Sequence, residues 1–190
     1  MEEENTSLNP GGVRLQSEKL AMEGHPQARF VKERAVVSSK PQIAALRSSG
    51  IGRMKGRRLV LSPYEVLYLL ERGEVSVHKS KSEKMGFLDV LNFYKSRPRT
   101  WTRYLIYRDL RNRGYLVRQG RGRVDFVVKG KSEEKDVDYA IVKLDEGGYV
   151  LAEKLLKMID ESAKARRNTA LAVVDRRNEI IYYELSTVAL

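Results

Sequence analysis

Thr100-Trp-Thr-Arg-Tyr-Leu-Ile-Tyr-Arg-Asp-Leu-Arg-Asn-Arg-Gly-Tyr-Leu-Val117 is the stretch on which the reading of this chain turns. Trp101, Tyr104 and Leu105, with Ile106 and Leu110 on an adjoining line, recur at helical spacing. Thr100 stands where a cap belongs, and Gly114 where a helix stops. The outer face of this helix is expected to carry Arg103, Arg108, Arg111 and Arg113, toward the end where the helix dipole favours cations. Downstream, Tyr115–Val117 and Val124–Val128 predict strands around the loop Arg118–Arg123. Tyr139–Val142 predicts a third strand, and Tyr149–Ser162 a helix with Leu151, Leu155, Leu156 and Ile159 on one side. Ala170–Val174 is nearly all apolar, the pattern of a strand covered on both faces. Asp175–Asn178 then turns the chain into a last strand, Glu179–Leu185.

Upstream, Ser62-Pro-Tyr-Glu65 is a strong helix start. Serine caps, proline takes the first helical position and glutamate at the third completes a capping box. Val66, Leu67, Leu69 and Leu70 supply the apolar face, and Gly73 ends it. Ser39-Lys-Pro41 opens a shorter helix through Leu46. Arg58–Leu61 and Val75–Val77 read as strands, and Phe87–Phe93 as a helix halted before Pro98. The predicted class is α+β, with a peripheral arm (1–29), a small mixed α/β domain (30–98) and a second domain (99–190). The chain's 190 residues accommodate this.

Composition excludes several functions. No apolar run approaches the roughly 20 residues of a membrane helix. The acidic start, Met1-Glu-Glu-Glu4, is unlike a secretory leader, so a cytoplasmic location is expected. With no cysteine there is no disulfide, thiol nucleophile or thiolate metal site. His25 and His78 leave little for histidine chemistry. Gly120-Arg-Gly122 lacks the third glycine and the strand-turn-helix setting of a nucleotide cradle, so Gly114, Gly120 and Gly122 read as turn residues beside a basic surface. Asp125, Asp136 and Asp138 lie near Lys129 and Lys143, but neither Val127-Val-Lys129 nor Ile141-Val-Lys143 carries the acid that a metal nuclease strand needs. No metal or cofactor is expected.

Charge points the other way. Lys and Arg number 36 against 25 acids, a net +11. Twelve of the cations fall between Lys95 and Lys131, nine of them arginine, and only Asp109 and Asp125 oppose them. Arginine suits bidentate phosphate contact, so an RNA partner is expected. The RNA-binding candidates are Arg118, Arg121, Arg123, Lys129, Arg166 and Arg167.

The run Arg103–Val117, then Asp125-Phe126, Leu171-Ala-Val-Val-Asp175 and Tyr182-Tyr-Glu184, resembles the C-terminal domain of the archaeal tRNA-splicing endonuclease family. Leu59–Gly73 is similar to its N-terminal domain. The resemblance spans about residues 36–185. It implies a restriction-endonuclease-like second domain, a central mixed sheet flanked by helices. It also implies metal-independent cutting of precursor tRNA at the intron boundaries, by attack of a ribose 2′-OH on its own phosphodiester. Such cleavage leaves a 2′,3′-cyclic phosphate and a 5′-OH. The family's tyrosine, histidine and lysine would fall here at Val128 or Lys129, at Asp136, and at Arg167 or Asn168, so all three slots are altered and no catalytic residue is assigned.

The resemblance therefore implies a noncatalytic structural subunit, partnered with a catalytic subunit in an α2β2 assembly. Its interface residues would be Asp175, Glu179, Ile181, Tyr182 and Tyr183, with Asp175 or Glu179 docking on a neighbour. Asp175 also reads, as the lesser alternative, as a turn former in a hairpin. Two alternatives stand. One is an active homomer with displaced groups, Tyr139 or Tyr115 serving as base. The other is a stand-alone binder of structured RNA.

Overall fold

A computed structural model of the chain describes residues 25–31, 34–94, 100–129 and 138–186. They form two units. The first runs to Leu61 and resumes over Leu69–Gly86, and the second comprises Ser62–Tyr68 and Phe87 onward.

The first unit holds β1 (Gln27–Val31), β2 (Arg34–Val37), α1 (Lys40–Ser48), β3 (Arg53–Lys55), β4 (Arg58–Leu61), β5 (Ser76–His78) and β6 (Lys84–Met85). The sheet order is β3-β4-β2-β1-β5-β6, with β1 and β5 parallel and the other pairs antiparallel. Ala28, Phe30, Ala35, Val37, Leu59, Leu61 and Val77 bury one face of it, as strand alternation requires. β1 crosses the expected boundary at residue 29, so the arm read from composition ends inside a central strand. Gln-Ala-Arg-Phe-Val alternates perfectly, but five residues among polar neighbours gave too short a pattern to detect.

α2 (Pro63–Glu71) starts with the expected capping box. Ser62 N–H donates to Glu65 Oε2 at 2.6 Å, and Glu65 N–H to Ser62 Oγ at 3.3 Å.

The second unit adds α3 (Phe87–Phe93), α4 (Thr100–Asn112), β7 (Leu116–Gln119), β8 (Phe126–Lys129), β9 (Asp138–Asp145), α5 (Ala152–Lys164), β10 (Arg167–Val174) and β11 (Ile180–Leu185). The sheet order is β11-β10-β9-β8-β7, with only β9 and β10 parallel. The class is α+β as expected, with helices and a mixed sheet. Tyr64 meets Phe126 edge-on at 5.3 Å, and Tyr68 meets Tyr107 at 5.8 Å. Such rings are among the largest single contributors to a core.

Three expectations change. Thr100 is the first helical residue, and its buried hydroxyl donates to the Tyr94 carbonyl at 3.2 Å. α5 begins at Ala152, so Tyr149 and Leu151 precede it and stand exposed. Its inward line is Leu155, Met158, Ile159 and Ser162, while Leu156 is exposed, one position off that line. The strand covered on both faces is β9, where Ala140, Ile141, Val142 and Lys143 are all buried. In β10, Leu171 and Val173 are only half-buried.

Candidate functional site

The arginine-rich segment divides by environment. On α4 the four cations are engaged within the unit, so the expected outer arginine face is not a free one. Arg103 Nε lies 2.5 Å from Asp125 Oδ1. Burial lowers the Arg103 pKa, but the adjacent Asp125 carboxylate more than offsets this and the net direction is up. Arg113 pairs with Asp109 at 2.9 Å and lies 5.3 Å over the Tyr182 ring. Arg111 donates to the Tyr115 carbonyl at 3.3 Å and covers the Tyr68 ring. Arg108 covers Tyr104 at 5.9 Å. The two acids within this basic segment each take one helix arginine.

The β7–β8 hairpin behaves otherwise. Arg118, Arg121, Arg123 and Lys129 are all exposed. The loop is held shut from within, since Gly120 N–H donates to the Asp125 carbonyl at 2.8 Å and Val124 N–H to the Arg121 carbonyl at 3.2 Å. A Cβ on Gly120 would stand 2.2 Å from the Val124 carbonyl oxygen. Glycine here serves a tight turn that presents arginine, as the sequence reading held.

Strand register places the described residues at two of the three expected positions in neighbouring rows, whose side chains alternate between the two faces of the sheet. Leu116, Lys129, Asp138 and Arg167 form one row across β7, β8, β9 and β10. Val117, Val128, Tyr139 and Asn168 form the next. Lys129 and Arg167 thus flank Asp138, whose Oδ2 lies 3.9 Å from Arg167 Nε. Asn168 Nδ2 donates to Glu184 Oε1 at 2.6 Å. Arg166, exposed, takes a left-handed φ of 55° where α5 hands over to β10. Asp136 lies outside the described residues. Asp138 was weighed from sequence only as a metal-nuclease acid and Glu184 only as part of a motif, because their place beside these positions depends on register. Both histidines belong to the first unit.

At the other end of β10 the turn is built by Asp175. Its Oδ1 accepts from Arg177 N–H at 2.8 Å and Glu179 N–H at 2.7 Å, and Asn178 supplies the positive φ of 65°. This is the turn-forming role. Glu179 is exposed. On the edge strand β11, Ile181 and Tyr183 are 54% and 51% exposed. They are in register with half-buried Val173 and Leu171, which makes one apolar strip. Tyr182 faces the other way, and its hydroxyl donates to Asp109 Oδ2 at 2.9 Å.

Fold and site together define a two-unit α+β protein whose second sheet carries an exposed arginine loop at one end and a charged row at the other. A family model for the tRNA intron endonuclease N-terminal domain matches residues 27–91, and one for the catalytic C-terminal domain matches residues 100–182. A tRNA-splicing endonuclease of Pyrococcus abyssi is 30% identical over 141 residues, covering 73% of this chain and 82% of that one. Another, of Methanococcus vannielii, is 27% identical over 167 residues, covering 86% and 94%. The chain belongs to the tRNA intron endonuclease family.

Proposed function

We propose that this chain acts in intron removal from precursor tRNA as the structural, noncatalytic subunit of a heterotetrameric splicing endonuclease. Cleavage by 2′-OH attack needs a base at the hydroxyl, an acid at the leaving oxygen and a cation at the phosphorane. The observation that supports the reading is the composition of the sheet end that holds the residues expected at two of the family's catalytic positions. Lys129 and Arg167 preserve positive charge there, but Val128 and Asn168 offer neither base nor acid. Asp138 stands between the two cations, 3.9 Å from Arg167 Nε. The exposed Arg118, Arg121 and Arg123 suit phosphate contact at one end of the second sheet, and the exposed Lys129 and Arg166 suit it at the other.

A second observation favours assembly. The β11 edge exposes Ile181 and Tyr183 next to Leu171 and Val173, and an exposed apolar edge strand is a pairing surface. Glu179 is the better docking acid, because Asp175 already holds two backbone N–H groups. The register of Tyr139 between Val128 and Asn168 favours, as the competing reading, an active chain with a relocated phenol base.

Copurification from the native organism tests the assignment. The expected result is a complex containing a second family member with Tyr, His and Lys at the slots. Ile181→Asp plus Tyr183→Asp should release that partner in sedimentation at micromolar protein. Recovery of this chain as a homomer that cuts RNA would favour the Tyr139 reading.

A further inference from the structure

The first unit carries a basic surface that no motif announces. Residues 25–86 hold thirteen Lys and Arg against five Glu, and the acidic stretches elsewhere in the chain hide this excess in the net charge. Six of those cations, Arg29, Arg34, Arg53, Lys55, Arg58 and Lys84, lie in the strands of the six-stranded sheet, which contain no acid. All six are exposed, opposite the buried face of Ala28, Phe30, Ala35, Val37 and Leu59.

Register arranges them. Arg53, Val60, Val36, Arg29, His78 and Lys84 are successive partners across β3, β4, β2, β1, β5 and β6. At roughly 4.8 Å per strand this row is about 24 Å long. Lys55 and Arg58 are paired in the neighbouring row. Beside Arg29 and His78 lies an open cleft of about 630 Å³, to which Lys81 and the hydroxyl-bearing Ser38, Ser39 and Ser80 contribute. Among the described residues, no carboxylate lines it.

We propose that this open sheet face is a second RNA-backbone site, which holds phosphodiesters of the precursor away from the bonds that are cut. Each strand sets a cation, a valine or His78 at a fixed interval, and the strands themselves carry no acid to cancel the charge. The cleft beside Arg29 gives a phosphate hydroxyl donors as well as charge. Two valines in the row offer no base-reading groups, so the face binds backbone without sequence preference. The inference rests on precursor RNA being this chain's ligand.

The experiment uses the full chain, or its complex, with an intron-containing precursor tRNA in fluorescence anisotropy at several salt concentrations. Arg29→Gln, Arg53→Gln and Lys84→Gln are combined in one variant, and Arg121→Gln with Arg123→Gln in another. All five side chains are exposed, and circular dichroism checks that the fold persists. The sheet variant is expected to reduce the magnitude of the log K against log salt slope by roughly 0.7–0.9 per lost contact. The hairpin variant should do so independently, with the effects adding. An unchanged slope in the sheet variant, with a reduced one in the hairpin variant, overturns this site and leaves RNA binding intact. Absence of binding by the unmutated protein overturns both. A photoreactive side chain at position 60 should cross-link to RNA, and cross-linking only to the chain's own acidic residues 1–24 would overturn the proposal.

Discussion

Asp125 should be the most costly polar residue of the second unit to remove. Its side chain is 7% exposed, and it binds Arg103 through one oxygen and the Lys143 N–H, at 2.7 Å, through the other. Its own N–H donates to the Ile141 carbonyl at 2.9 Å. One carboxylate therefore ties α4 to the start of β8 and to the middle of β9. In Asp125→Ala the Lys143 N–H, in a buried stretch of strand, loses its acceptor, which costs about 1–3 kcal/mol. Arg103 is 36% exposed, so its guanidinium rehydrates and its lost ion pair adds only about 0.5–1 kcal/mol. The sum is about 3 kcal/mol, or a fall in Tm of about 6–12 °C for a chain of this size. Asp125→Asn keeps one acceptor but turns an NH2 toward a donor, and should fall between. Urea unfolding followed by circular dichroism measures the loss. A change below about 1 kcal/mol for Asp125→Ala would refute the claim that this carboxylate is the junction.

Gly120→Ala should destabilise by about 1–3 kcal/mol, because its Cβ would meet backbone that cannot swing aside. Gly122→Ala, which has open space but a φ of 62°, should cost about 1 kcal/mol, and thermal unfolding of the pair separates the two causes. Tyr107 and Tyr182 are both held above the ordinary tyrosine range, Tyr107 by burial and then by Glu65, Tyr182 by burial and then by its bond to Asp109. A raised folded pKa means that the native state keeps protons the unfolded chain releases. This contribution is intact below about pH 10 and is lost as pH rises further toward the folded values. Absorbance at 295 nm should show fewer than the chain's ten tyrosines ionising at pH 11 until urea is added, and a full count in the folded protein would refute the assignment.

What could be read in advance was what local chemistry dictates. The capping box at Ser62, the helix over 100–112 and the glycine turn at Gly120 each depend on residues within a few positions of one another. The two acids within the basic segment were visible too, but not that each would capture a helix arginine, since Asp125 and Arg103 are brought together by the sheet. The first sheet was largely missed. Its strands are two to five residues long, and Arg29, Arg53 and Lys84 are too far apart in sequence to read as a row. β9 was placed but its burial was not, because Lys143 breaks the apolar pattern, although Asp145, two residues on and on the same strand face, pairs with its ammonium. Leu156 failed for the converse reason, as an apolar residue on an exposed helix face.

The central claim is tested most directly by incubating the purified chain alone, in EDTA, with an intron-containing precursor tRNA. A base and an acid each contribute typically 10²–10⁴-fold, so without both the chain should give no cleavage above background. Adding a family partner with intact Tyr, His and Lys should produce fragments ending in 2′,3′-cyclic phosphate, still in EDTA. Cutting at the intron boundaries by this chain alone, abolished by Tyr139→Phe, would contradict the noncatalytic assignment.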